Sequence, residues 1–294
     1  MKKNKKILIT GGAGFVGTNL IKFFLNRTNY NIISIDNYSS GSKKNHLKNK
    51  RVKYIKGNTK DILKLIKKPN EINSVFHFGE FARIYQSFLK MNECIESNSI
   101  GSNSVFNFCL KNKIKLIYSA TSASLGNRGS DKNLSPYAFT KAKNLELLEN
   151  LKKWFNFKYE VIYFYNVYGP HQICRGQMST VIGIFEDHYK KRKLLPVVRP
   201  GTQTRRFTHI DDTIKICFLA WKKNLCRHYS ISNKKSYSII EVAKLFKSKI
   251  KYLPKRAGER YASALIDKNL SNKIYKYFGK ISLKNYIQNF IKNS

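Results

Sequence analysis

Short apolar runs alternate with amphipathic stretches through residues 1–165 of the chain. In the stretches, apolar side chains recur three or four positions apart, as at Leu20, Ile21 and Phe24, which predicts helices. The runs themselves predict strands and cover Ile7 to Thr10, Asn31 to Asp36, Val52 to Lys56, Ser74 to Phe78, Lys115 to Ala120 and Val161 to Tyr165. Strands that alternate with helices in this way predict an α/β fold around a doubly wound parallel sheet.

The chain changes character after Val167. From there it carries loops, Pro196 and Pro200, and short helical stretches such as Ile239 to Lys249. We therefore predict a first domain over residues 1–165 and a smaller α/β lobe over residues 166–294. A chain of 294 residues is long enough to bury a core in both.

The first predicted strand runs directly into a glycine-rich turn and a helix start. Gly11, Gly14 and Gly17 satisfy a GxxGxxG spacing, and Gly12 with the last two satisfies GxGxxG. Such a turn brings the backbone and the helix N-terminus, including Phe15 and Val16, close to a pyrophosphate. Asp36 follows 19 residues after Gly17 at the end of the second strand. Because an acidic residue there binds the adenosine ribose and repels a 2′-phosphate, the sequence predicts NAD as the cofactor.

Tyr137 and Lys141 lie four residues apart in the segment SPYAFTK. On a helix this spacing places both side chains on one face. A tyrosine has an unperturbed pKa of about 10, so it becomes a base at neutral pH only where a neighbouring positive charge favours the phenolate. Beside a nicotinamide site, the pair predicts redox chemistry on a hydroxyl group.

Several further segments are similar to segments of one protein family and follow one another in the same order. The chain resembles the extended short-chain dehydrogenase/reductase family, specifically its nucleotide-sugar epimerases and dehydratases. The similar segments are GGAGFVG from Gly11, DNYSSG from Asp36, GNTKD from Gly57, HFGE from His77, YNVYGP from Tyr165 and TRRFTHIDD from Thr204. In the family the third of these reads GDxxD, so Asn58 replaces an Asp. The resemblance implies a Rossmann sheet with a nucleotide-sugar lobe, and a return of residues 205–222 to the cofactor domain.

The resemblance also implies site residues. Thr121 would be the third catalytic residue, since Gly126 aligns with the glycine of the family's SSATVYG segment, and Ser119, Ser122 and Ser124 are its rivals. Cofactor contacts would come from the glycine turn, Asp36, Tyr137 and Lys141, together with Asn37, Asn58, Phe78 and Asn98. Sugar-nucleotide contacts would come from Thr121, Asn166, Arg205, Arg256 and Ser263. Ser263 falls where enzymes strict for UDP-glucose place a large tyrosine.

Among the family's reactions, the expected one is C4 epimerisation of a UDP-glucose type sugar through a 4-keto intermediate. Ser122 and Ala123 stand where 4,6-dehydratases carry an Asp-Glu pair, which argues against a dehydratase or a decarboxylase. An ADP-heptose 6-epimerase remains an alternative, because GQMSTV from Gly176 resembles a segment of that enzyme. A non-catalytic NAD-binding scaffold is a second alternative, although it would need no base such as Tyr137.

Composition adds a strong positive charge: 56 Lys and Arg against 17 Asp and Glu give a formal net charge of +39. The lysines are scattered rather than gathered in one stripe, so nucleic-acid binding is not expected, although the field would attract an anionic nucleotide sugar. Five cysteines without a CxxC pair and six histidines without a ligand spacing predict neither a disulfide framework nor a metal site. No apolar stretch reaches about 18 residues, and we expect a cytoplasmic protein. Two stretches, Cys94 to Asn112 and Tyr137 to Trp154, correspond to the dimer helices of relatives and imply a homodimer.

Overall fold

The structure, a computed structural model, describes residues 5–258 and 274–294, without the side chains of residues 125–130. In chain order the strands of this part are β1 (Lys6–Thr10), β2 (Asn31–Asp36), β3 (Val52–Lys56), β4 (Ile72–His77), β5 (Lys115–Thr121), β6 (Tyr159–Phe164), β7 (Val167–Tyr168), β8 (Leu195–Val198), β9 (Thr204–Arg206), β10 (Thr208–His209), β11 (His228–Ser232), β12 (Ser236–Ser238), β13 (Ile250–Leu253) and β14 (Ile274–Phe278).

The α-helices of the same residues are α1 (Phe15–Arg27), α2 (Ile62–Leu65), α3 (Ile84–Leu89), α4 (Met91–Ile95), α5 (Ser102–Lys111), α6 (Pro136–Phe155), α7 (Val181–Lys190), α8 (Ile210–Lys223), α9 (Ile239–Leu245) and α10 (Leu283–Lys292). A π-helical segment, Glu96–Gly101, joins α4 to α5, and a 3-10 segment, Ser122–Asn133, follows β5. None of the helices in the described part is long and apolar enough to cross a lipid bilayer.

Eight strands form one sheet in the order β14-β11-β6-β5-β4-β1-β2-β3, and all its pairings are parallel. The chain winds outward from β1 in one direction through β2 and β3, and in the other direction from β4 onward. This is the doubly wound α/β sheet that the sequence predicts. Its strand order reverses between β1 and β4, and in such sheets ligands bind outside the carboxyl ends of the strands at that point.

Apolar side chains from both faces of the sheet form separate clusters. One face buries Phe106, Tyr118 and Leu148 under α5 and α6, and the other buries Phe24 and Ile214 under α1 and α8. Full burial of side chains of this size stabilises the fold by roughly 1.5–3 kcal/mol each. The two faces hold the strand ends rigidly, so residues that follow those ends are fixed in space.

A third cluster lies in the C-terminal part of the chain. Tyr168, Phe185, Val242, Phe246 and Ile287 pack together between α7, α9 and α10. Two short strands, β8 and β13, pair in parallel beside this cluster. Helix α8 packs against α1 and the large sheet instead, and β11 and β14 extend that sheet. The division of the chain into domains at residue 165 stays a prediction.

Candidate active site

A cavity of about 960 Å³ opens at the carboxyl ends of the sheet strands. The glycine turn after β1, the loop after β4 and the end of β5 form one side of its wall. Residues from the C-terminal part, such as Gln203, Phe207 and Leu253, complete the other side. The cavity is therefore large enough and placed correctly for a dinucleotide and a second ligand.

The glycine turn has the tight geometry that its spacing predicts. Gly11 has a φ of +72°, which side chains disfavour, and a Cβ added at Gly17 would lie 2.2 Å from the carbonyl oxygen of Gly11. Helix α1 therefore begins close to the strand end, with Gly14 as its N-cap. Gly11, Gly14, Phe15, Val16 and Gly17 all line the cavity, where the helix N-terminus favours an anion.

Asp36 ends β2 at the cavity wall and is 8% exposed. Its Oδ2 accepts a hydrogen bond from the Ala13 backbone N–H at 2.9 Å, and its Oδ1 accepts one from Tyr38 at 2.8 Å. Burial raises the pKa of this carboxyl above its ordinary value, while both backbone hydrogen bonds act in the opposite direction. The carboxylate thus organises the glycine turn and keeps acceptor capacity beyond these two bonds.

The two asparagines predicted as cofactor contacts after β2 and β3 lie together. Asn37 Nδ2 donates to Asn58 Oδ1 at 2.8 Å, and both residues line the cavity. Asn58 stands where the family carries an Asp. Its amide keeps a neutral acceptor for Asn37 and adds N–H donors of its own.

Phe78 and Asn98, also predicted as cofactor contacts, occupy different positions. Phe78 lines the cavity and packs edge to face on Phe164, with ring centroids 5.5 Å apart. Asn98 is fully buried and lies behind the wall rather than on it. Its side chain binds both backbone groups of Phe81, at 2.7 Å and 3.0 Å, and contacts Thr140 Oγ1 at 3.2 Å. The contacts of Asn98 position the loop after β4 against α6.

Tyr137 and Lys141 lie in the first two turns of α6, which Ser135 caps by accepting from the Ala138 N–H at 3.1 Å. Both residues line the cavity. The Tyr137 backbone N–H donates to Ser87 Oγ at 3.2 Å, which ties α6 to α3. The Lys141 ammonium donates to the Ser119 backbone oxygen and to Glu80. The predicted pair is thus brought to the same wall as the glycine turn.

Thr121 ends β5 at the cavity wall and is 8% exposed. Its Oγ1 accepts from the Ala123 N–H at 3.1 Å, which leaves its own hydroxyl hydrogen for another acceptor. Two rivals donate to backbone instead: Ser119 to the His77 oxygen at 3.0 Å and Ser124 to the Thr121 oxygen at 2.7 Å. Ser122 lines the cavity as well, so it remains a rival.

Three of the four residues predicted only for the sugar nucleotide also line the cavity, namely Asn166, Arg205 and Arg256. Asn166 donates to the Arg206 backbone oxygen at 3.1 Å. Arg205 follows on β9, and the Arg256 guanidinium lies over the Tyr85 ring at 5.3 Å. Ser263 lies outside the described residues.

Two charged residues at the site carry no role predicted from the sequence. Glu80 belongs to the HFGE segment, and its side chain is buried against Lys141. Arg83 lines the cavity and donates from Nε to the Met178 oxygen at 2.9 Å and from Nη1 to the Ala82 oxygen at 2.7 Å. Both residues lie in the loop after β4, Glu80 three and Arg83 six residues beyond its end. A charged residue in the loop after a buried strand is the sequence signal that could have identified them, because strand ends meet at one edge.

Comparison with known proteins gives consistent matches. A sequence model described as the NAD dependent epimerase/dehydratase family matches residues 7–232. A putative UDP-glucose 4-epimerase of Methanocaldococcus jannaschii is 26% identical over 286 residues, which cover 92% of this chain and 88% of that protein. The ADP-L-glycero-D-manno-heptose-6-epimerase of Brachyspira hyodysenteriae is 27% identical over 259 residues, covering 82% and 80%.

Among solved structures, the UDP-glucose 4-epimerase of Thermus thermophilus in complex with NAD superposes with a TM-score of 0.85. The match covers 98% of each chain at 21% identity, so it carries the fold alone. It confirms the Rossmann sheet predicted from the sequence.

Proposed function

The chain belongs to the NAD-dependent epimerase/dehydratase family and uses NAD, and we propose that it catalyses C4 epimerisation of a UDP-glucose type sugar. The observation that carries this proposal is the single cavity wall shared by the glycine turn, Thr121, Tyr137 and Lys141. When bound, NAD would supply a reversible hydride acceptor for the sugar. A scaffold without turnover would have no use for a tyrosine and a lysine at that wall.

In the proposed reaction, Tyr137 takes the proton of the C4 hydroxyl as the 4-keto sugar forms. The Thr121 hydroxyl donates a hydrogen bond to the same oxygen and holds it in place. The Lys141 ammonium favours the phenolate form of Tyr137 through its charge. After the keto sugar presents its other face, Tyr137 returns the proton and the inverted alcohol results.

We assign the diphosphate of the sugar nucleotide to the side of the cavity that Asn166, Arg205 and Arg256 line. Arginines bind phosphate through charge-assisted, bidentate hydrogen bonds. This places the sugar between that side and Tyr137. Ser263, which falls where enzymes strict for UDP-glucose place a tyrosine, is proposed as a further contact of the sugar nucleotide.

A second candidate is epimerisation at C6 of an ADP-heptose, which the Brachyspira hyodysenteriae relative favours. The two reactions share the roles of Tyr137 and NAD but differ in the carbon that faces them. A panel of UDP- and ADP-sugars, incubated with the purified protein and followed by NMR, separates the two because the inverted carbon is identified directly.

We also propose that two copies associate, since large apolar side chains lie exposed on α3, the segments around α4, and α6. They are Phe88 (40% exposed), Leu89 (62%), Met91 (54%), Ile100 (54%) and Phe139 (44%). Exposed apolar surface of this extent is typical of an interface. A cytoplasmic location is proposed as well, because all five cysteines are free.

The proposed function predicts that Tyr137→Phe lowers turnover of UDP-glucose at least ~10²-fold, the usual size of general acid-base help. Binding of NAD and UDP-glucose should change little, because the ring and its packing are kept. Product formation by NMR and binding by calorimetry measure the two effects. Tyr275→Phe, at an exposed site on the sheet edge, is the matched control and should retain full turnover. Wild-type turnover in Tyr137→Phe would refute the proposal.

A further inference from the structure

A buried ion pair forms part of the cavity wall. Glu80 follows β4 and Lys141 lies on α6, and their side chains are 2% and 4% exposed. The ammonium of Lys141 contacts Glu80 Oε2 directly and lies 4.7 Å from the centre of the Tyr118 ring. A buried charge is stable only where it is paired and hydrogen-bonded. The fold therefore holds a carboxylate against the lysine that the proposed reaction uses.

The Glu80 carboxylate accepts hydrogen bonds from four donors. Its Oε1 accepts from Ser102 Oγ at 2.7 Å, Tyr118 OH at 3.0 Å and Asn144 Nδ2 at 3.2 Å, and its Oε2 accepts from Lys141. An ionised carboxylate has about four acceptor sites. Donors occupy both oxygens, three at Oε1 and the Lys141 ammonium at Oε2, which stabilises the negative charge in its buried position. The carboxylate is therefore a fixed negative charge.

A chain of hydrogen bonds behind Ser102 supports this charge. Because Ser102 Oγ donates to Glu80, it accepts from His77 Nε2 at 2.9 Å, and His77 Nδ1 then accepts from Thr10 Oγ1 at 2.7 Å. Burial lowers the pKa of His77 to about 4, so its ring is neutral at physiological pH. The histidine thus orients Ser102 without neutralising Glu80.

The other titratable groups around the pair are Tyr118 on β5, Cys94 on α4, Tyr137 on α6 and Arg83 before α3. Burial, and then the Glu80 carboxylate, hold the pKa of Tyr118 well above its usual range. Burial raises the pKa of Cys94 to about 11. Both groups are neutral at pH 7, while Arg83 is positively charged and interacts electrostatically with Tyr137. Among the described residues that face Lys141 across this contact, Glu80 is thus the group that compensates the ammonium charge.

Lys141 has three N–H donors. One goes to Glu80 and one to the Ser119 backbone oxygen, while Ser119 Oγ lies 3.4 Å away. At least two of the three directions are fixed by protein acceptors, and one of these acceptors is Glu80. Glu80 therefore helps to fix where the ammonium points, and its negative charge opposes that of the ammonium.

We propose that Glu80 is a positioning residue that holds the Lys141 ammonium and, by compensating its charge, sets the pH at which Tyr137 ionises. This proposal rests on the proposed function in one respect: Tyr137 is the group that gains and loses the proton. It predicts that removal of the Glu80 charge leaves Lys141 uncompensated and favours the phenolate.

The test is a pH titration of Tyr137 in the NAD-bound protein, read without turnover. The tyrosines of the protein are labelled with ¹³C at Cζ. The resonance that is missing from the spectrum of Tyr137→Phe is assigned to Tyr137. In Glu80→Gln we expect the midpoint to fall by about one pH unit, since a neighbouring charge shifts a pKa by roughly 1–3 units and Glu80 acts one residue further away. Glu80→Asp keeps the charge and should restore the wild-type midpoint.

Glu71→Gln is the matched control, because Glu71 accepts from Lys6 at 2.6 Å at the amino edge of the sheet. It should leave the midpoint unchanged. A role of Glu80 in stability alone would lower the melting temperature of Glu80→Gln without moving the midpoint, and that result would overturn the proposal. Failure of UDP-glucose turnover in the wild type would refute the proposed function, but the titration would still decide the role of Glu80.

Should Glu80→Gln not fold, the double variant Glu80→Gln/Lys141→Met replaces the buried pair by neutral side chains, a change that is often tolerated. Two opposing charges are then lost together. The midpoint should stay within about half a pH unit of the wild type. A rise of about one unit or more would mean that Glu80 does not compensate Lys141, and the proposal would fall.

Discussion

Asp36 has two tasks that a single substitution can separate. Its two oxygens accept from the Ala13 and Tyr38 backbone at 2.9 Å and 2.8 Å, which shapes the glycine turn, and its charge faces the cavity. Asn keeps the size of the side chain and one acceptor oxygen but removes the charge. The effect of charge on the cofactor therefore appears in Asp36→Asn with less loss of structure than in Asp36→Ala.

We predict that Asp36→Asn raises the affinity for NADP relative to NAD by about tenfold or more, equivalent to about 1.4 kcal/mol. The reason is that a carboxylate repels the 2′-phosphate and a neutral amide does not. Dissociation constants for both dinucleotides, measured by calorimetry, give the ratio. Asp211→Asn, at a side chain that is 59% exposed, is the control and should leave it unchanged. If the ratio of the two dissociation constants is the same in Asp36→Asn as in the wild type, Asp36 shapes the turn but does not select the cofactor.

Among the helices, the N-terminus of α6 positions the proposed catalytic pair, Tyr137 and Lys141. Ser135 accepts from the Ala138 N–H at 3.1 Å, and Tyr137 follows the cap by two residues. Ser135→Ala should cost about 1 kcal/mol of stability, the usual loss for an N-cap. It should also lower kcat several-fold, because a shifted first turn misplaces the Tyr137 hydroxyl.

The control for this prediction is Ser282→Ala, which removes the cap of α10 away from the cavity. Thermal unfolding and turnover of UDP-glucose are measured for both variants. Both should lose stability, but only Ser135→Ala should lose turnover. Equal turnover in the two variants would show that the cap does not position Tyr137.

Strands and helices with a strong apolar pattern are the ones that the sequence predicts best. The strands predicted at Asn31 to Asp36 and Val52 to Lys56 have the bounds found in the structure. In contrast, β11 and β14 are not predicted from the sequence. Their sequences, HYSIS and IYKYF, are short and mixed in polarity, and both strands pair only with strands that are distant along the chain. The predicted helix Cys94 to Asn112 is interrupted by a π-helical segment that buries Asn98.

At the site, the glycine turn, Asp36 and Tyr137 all line the cavity, and each could be singled out from the sequence because it belongs to a local motif. The contact of Glu80 with Lys141 joins residues 61 positions apart and has no local pattern. Asn98 shows the same limit, since its bonds to Phe81 depend on how the loop after β4 folds back. Whether each of these residues binds a ligand stays a prediction.

For the whole molecule, the formal net charge of +39 opposes the proposed association of two copies. Salt screens this repulsion, with a Debye length of about 10 Å at 0.1 M and about 3 Å at 1 M. We therefore predict that the dimer fraction in sedimentation experiments rises with salt. Phe139→Lys should shift the protein to monomer, because it puts a charge into the apolar surface around α3 and α6.

The matched control is Phe278→Lys, at a side chain that is 50% exposed on β14. It adds the same charge far from that surface and should sediment like the wild type. A protein that is monomeric at every salt concentration, or a dimer that Phe139→Lys leaves intact, would contradict the proposed interface.

The interleaving of β11 and β14 with the large sheet limits how this enzyme can be recombined with its relatives. β11 is bonded between β6 and β14, although both β11 and β14 come from the last third of the chain. In a chimera that joins this chain up to β6 to the C-terminal part of a relative, β11 and β14 would come from the relative. If these strands did not pair with β6, the backbone of β6 would be exposed and could pair with other chains. Specificity is therefore better transplanted as short inserts between the strands than as one C-terminal block.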